Sequence, residues 1–127
     1  VKLERAKIVV GCTADNLRST RDAWVKLLTV QPMHALEWSR DGVRAVVGCE
    51  VYELALKALE APDAGNGDQR VASLREGALR MVAQLASNPV FGPSVLDQSI
   101  HQFKLQAWQF LANDLATPGE DSSADGQ

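Results

Sequence analysis

The side chains of this 127-residue chain that could do chemistry are two cysteines, two histidines and a scatter of carboxylates. Cys12 and Cys49 could form a redox pair, or share a metal ion with His34 and His101. Metal sites built from such ligands use short spacings such as Cys-x-x-Cys or His-x-x-x-His, and neither occurs. Free cysteine is among the most buried residue types, so both are read as small packing residues. Glu50 and Glu53 could turn into a bundle core as metal ligands, but the Glu-x-x-His pairing of di-iron bundles is absent. Glu53 with Lys57 reads instead as an i,i+4 surface pair worth about 0.3–0.5 kcal/mol. There is no Gly-x-Ser-x-Gly, no P-loop and no Gly-x-Gly-x-x-Gly. No cofactor is expected, and the chain reads as non-enzymatic.

These residues are carried on segments with a helical period. Leu3, Ala6, Val10, Ala14, Leu17, Trp24 and Leu28 recur at steps of three, four or seven, which predicts a first helix over 2–29. Pro32 cannot continue it but suits the first turn of another. In the second segment, 33–60, Leu36, Val43, Val47, Val51, Leu54 and Ala58 form one apolar stripe. Trp38, Ala45, Cys49, Tyr52, Leu56 and Leu59 form another on the opposite side, so this helix is expected to be covered on two faces. Asp41-Gly42 could instead be a hairpin turn, and with strands at 8–10 and 43–47 the fold would be α+β. The long period favours the helix. A loop at 62–68 precedes a third helix over 69–87, capped by Asp68, with Val71, Leu74, Ala78, Met81 and Leu85 inward. A turn at 88–93 and a Ser94 cap lead into a fourth over 95–115, with Leu96, Ile100, Phe103, Ala107 and Phe110 on one line. Leu105, Trp108, Ala112 and Leu115 form a second, weaker line.

The expected fold is therefore all-α: a four-helix, mostly antiparallel bundle over 1–116, with an acidic tail at 117–127 too poor in apolar residues to pack and expected to be disordered. The tetrapeptide Val-Val-Gly-Cys occurs at both 9–12 and 46–49. In an antiparallel hairpin turning at 30–31, the two Gly-Cys pairs would lie at one level and let the backbones approach closely.

Composition narrows the functional classes. A net charge of −3 disfavours nucleic acid, whose binding rests on neutralising phosphates. The 13 basic residues equal the acidic ones once Glu120, Asp121 and Asp125 of the tail are set apart. No apolar run reaches the roughly 18 residues of a membrane span. The charged start at Val1-Lys2-Leu3-Glu4-Arg5 does not read as a secretory signal. A start at Val rather than Met leads us to expect residues upstream, and a reducing cytoplasmic setting is expected.

His101, followed by Lys104 on the polar side of the fourth helix, resembles a histidine phosphotransfer domain. That resemblance implies a phosphorylatable imidazole at His101. The family normally has Gly after the Lys, where this chain has Leu105. A second alternative is a small-ligand regulatory domain with a pocket between helices, lined by Trp and Met side chains. The main expectation is an interaction or adaptor module that forms a homodimer or larger homo-oligomer, with a protein partner as a further possibility. Its contact face would be Trp38, Ala45, Cys49, Tyr52, Leu56, Leu59 and Trp108.

Overall fold

The computed structural model describes residues 2–61, 67–87 and 95–116. Five helices are present among them: α1 (Lys2–Val30), α2 (Pro32–Glu37), α3 (Ser39–Glu60), α4 (Gly67–Ser87) and α5 (Val95–Asp114). No strand occurs among these residues, so 8–10 and 43–47 are helical. The expected turn at 88–93, the Ser94 cap, most of the 62–68 loop and the acidic tail lie outside the described residues. Asp68 does not cap α4, which begins one residue earlier. It sits in the first turn, where a negative charge meets the positive end of the helix dipole.

The second expected helix is two helices. Pro32 starts α2 in the first-turn position that tolerates its missing N–H. The helix breaks at Trp38, whose backbone N–H closes on the Ala35 carbonyl at 3.0 Å, and α1 packs onto the break. The Trp24 indole N–H donates to the Ala35 carbonyl at 3.0 Å, an oxygen that an uninterrupted helix would bond to the N–H of Ser39. The same indole ring lies against Gly42, where any Cβ would run into it. The Asp41-Gly42 pair is thus a packing device inside a helix rather than a turn.

The four long helices surround the core in the order α1, α3, α5, α4. Two antiparallel hairpins are formed. Leu17 of α1 faces Gly48 of α3, and α4 meets α5 through Arg75 and Ala112. Across the hairpins the neighbours run parallel: Arg44 meets Phe103 at one level of α3 and α5, and Tyr52 meets Asp114 further along both. The bundle therefore mixes antiparallel and parallel neighbours. The interior is built largely from small side chains, with Ala6, Ala14, Ala55, Ala78, Ala107 and Ala112 among Val10, Val51, Val71, Leu59, Leu111 and Leu115. Small residues let helix axes approach closely.

The expected levelling of the two Gly-Cys pairs does not occur. Gly48 faces Leu17, more than a turn along α1 from Cys12, and nothing approaches Gly11 within 4 Å of a built Cβ. The interposed α2 moves the centre of the hairpin beyond 30–31 and shifts the register. Gly42→Ala should therefore lower the unfolding free energy by about 1–3 kcal/mol through overpacking. Gly11→Ala and Gly77→Ala, each with open space around the new Cβ, should raise it by about 0.5–1 kcal/mol. Urea denaturation of the three variants checks both signs.

Candidate functional site

Helix α3 carries most of the positions singled out from sequence, and it is the most enclosed helix. Ala45, Cys49, Tyr52 and Leu59 are buried, and Leu56 and Trp108 are half-buried against the core. The second stripe of α3 is thus covered on folding of one chain, by α5 and α1 together. Tyr52 shows how: its hydroxyl donates to Asp114 Oδ2 on α5 at 2.8 Å. Trp38 alone of the seven is exposed, at 52%.

Trp38 belongs to an apolar corner made by the end of α1 and by α2. Five of the nine exposed large apolar side chains among the described residues fall within 25–38, around the junction of α1 and α2. Besides Trp38 and Val25 they are Met33 (75% exposed), Val30 (64%) and Leu36 (58%). His34 stands edge-on to Trp38, with ring centroids 6.4 Å apart, and its Nδ1 lies 3.6 Å from Glu37.

A groove of about 290 Å³ opens between α1, α3 and α5. Its lining follows helical spacing on each element: Thr13 and Leu17, then Arg44, Gly48 and Tyr52, then Phe103, Gln106, Ala107, Phe110 and Asp114. Gly48 contributes no side chain, and a Cβ there would come within 3.0 Å of Leu17. The Arg44 guanidinium sits over the Phe103 ring, 5.3 Å from its centroid, and its link to exposed Asp41 is long at 3.7 Å. Neither Trp nor Met lines this groove, in contrast to the expected pocket. Its residues were not legible as a set, because they share a site only once α5 lies parallel to α3. The one usable signal was the i,i+4,i+8 series Arg44, Gly48, Tyr52, with glycine in the middle of a helix.

The residues with reactive side chains are not brought together. Cys12 is exposed on α1 and Cys49 buried on α3. His34 is on α2, and the His101 Nε2 lies 2.9 Å from the Leu85 carbonyl oxygen of α4. A carbonyl only accepts, so in this contact Nε2 carries the proton and helps to hold α5 to α4. Glu53 bonds across the hairpin to the Arg18 Nε at 3.3 Å, with Arg21 at 3.7 Å, rather than acting only along its own helix. No group of three His, Cys, Asp or Glu converges as metal ligands among the described residues, and none of their helices is long and apolar enough to cross a membrane. Comparison with protein-family models, with curated proteins and with solved structures finds no match to this chain.

Two buried groups have shifted acidities. Burial, reinforced by the hydrogen bond to Asp114 and its charge, pushes the Tyr52 phenol well above the ordinary tyrosine range. Burial also pushes the Cys49 thiol up, against the opposing pull of Arg21. The Tyr52 contribution is present below about pH 10, where free tyrosine begins to ionise, and is lost above it by up to about 1.4 kcal/mol per pH unit. Tyr52 is the only tyrosine, so tyrosinate absorbance reports it alone. No ionisation midpoint near pH 10 should appear, and the signal should rise only as alkali unfolds the chain. Tyr52→Phe should remove this alkaline loss while costing about 1.5–3 kcal/mol at neutral pH. A thiol reagent should modify Cys12 in the native protein and Cys49 only after denaturation, one of two equivalents reacting first.

Proposed function

We propose that this chain is a non-enzymatic interaction module that associates with a second copy of itself through the apolar corner of α1 and α2. The concentration of Val30, Met33, Leu36 and Trp38 on one exposed corner carries this reading, since monomers rarely leave such surface in one place. The rim supports a self-complementary contact. Glu37 lies beside His34 and near Arg40 in the chain, all three exposed, so both signs of charge are available across a twofold axis. Of the face expected from sequence, Trp38 is the member that stays available to a partner.

Burying Met33 and Leu36 on association contributes about 1.5–3 kcal/mol each. Met33→Glu combined with Leu36→Glu should therefore weaken association at least about a hundredfold. Both side chains face solvent in the monomer, so the far-UV circular dichroism should not change. Light scattering should give a mass above one chain for the unmutated protein and of one chain for the double variant. An unmutated protein at one-chain mass throughout its soluble concentration range overturns the reading.

A further inference from the structure

We propose that the groove between α1, α3 and α5 binds a small anionic amphiphile of the medium-chain carboxylate class, its carboxylate on Arg44 and its chain along Leu17, Phe103 and Phe110.

The argument rests on shape, lining and charge. The groove is concave and apolar: Phe103 closes one end, and Phe110 stands along it although 59% exposed. Leu17 packs down onto Gly48, where a Cβ would stand 3.0 Å from it, so the two line the groove together. A volume of about 290 Å³ takes on the order of ten non-hydrogen atoms at about 30 Å³ each, the size of an eight-carbon carboxylate. Charge sets the direction. Arg44 is the one cation among the lining residues, and its long, exposed link to Asp41 is of a kind worth little in water. A ligand carboxylate could form a shorter, charge-assisted pair with the same guanidinium. The other end carries Asp114, already bonded to Tyr52; its negative charge repels an anion there and leaves that end to the chain of the ligand. Residues 117–127 contain no large apolar side chain, so they do not match the lining as an internal occupant.

The test uses octanoate, octanol and octylammonium with the full chain, below the concentrations at which they form micelles. Octanoate should give a saturable one-site calorimetric isotherm and raise the thermal unfolding midpoint. Octanol should bind about tenfold more weakly, the factor expected for one charge-assisted bond, and any octylammonium binding, its ammonium turned to the Asp114 end, should not fall in Arg44→Gln. Arg44→Gln should erase the advantage of octanoate over octanol. Thr13→Trp, which fills the groove from its α1 side, should abolish binding of both. If Thr13→Trp fails to fold, the octanoate-to-octanol ratio in Arg44→Gln decides alone. Octanoate binding no tighter than octanol, or unaffected by Arg44→Gln, overturns the proposal. A loss of oligomer mass in Thr13→Trp would identify a second copy as the occupant instead. The Met33→Glu, Leu36→Glu variant should bind octanoate unchanged, so failure of the association reading and failure of this one are separable.

Discussion

The last carbonyls of an α-helix have no partner within it, and each must find a donor elsewhere or be left to water. In this chain a side-chain N–H from a neighbouring helix bonds an end carbonyl at four helix ends, at α2 in addition to the backbone N–H of Trp38. The Trp24 indole takes the Ala35 oxygen of α2, and Arg70 takes the Leu59 oxygen of α3 at 2.7 Å. His101 bonds the Leu85 oxygen of α4, and Arg75 the Ala112 oxygen of α5. The Leu85 case has a covalent reason, since the residue four further on is Pro89, which has no N–H to offer. A core rich in alanine and valine is non-directional and fixes helix register weakly. Bonds of a donor to one particular carbonyl fix it strongly, and the two arginines also place positive charge at the negative ends of helix dipoles.

Legibility from sequence followed the range of the interaction. The α1 stripe, the inward face of α4 and the Pro32 start are local patterns, and the structure has them: Ala6, Val10, Ala14, Val71 and Ala78 are buried. The break at Trp38 was not legible, since the indole that packs against it lies fourteen residues earlier and reaches it only once the hairpin is closed. The same missing turn misplaced the Gly-Cys pairs. On α3 the second stripe is covered, while the first is covered only in part, with Val47 and Val51 buried and Leu54 exposed, as is Leu36 of α2; periodicity carried no information on whether a helix of the same chain or of another copy would cover either. Arg70, Arg75 and Arg44 carry no signal in the sequence for the same reason: the carbonyls and the ring they meet lie on other helices.

The two surfaces discussed above differ in what they offer. The corner of α1 and α2 is carried by a six-residue helix, from which Met33 and Leu36 are exposed to solvent. The groove is concave and framed by three long helices, so its shape is fixed by the packing that fixes the bundle. Both lie toward the N-terminal half of α3, with Trp38 and Arg44 six residues apart, about 9 Å along a helix.

The mixture of antiparallel and parallel neighbours bears on how the chain finds this structure. The α1–α3 hairpin closes over the short α2, and α4 with α5 closes over the 88–94 connection, so both pairings join segments near in sequence. The α3–α5 seam joins residues about sixty apart, as Tyr52 and Asp114 are. Loop-closure entropy favours the local pairings first. The phenol–carboxylate bond is thus a tie between the two hairpins and not within either.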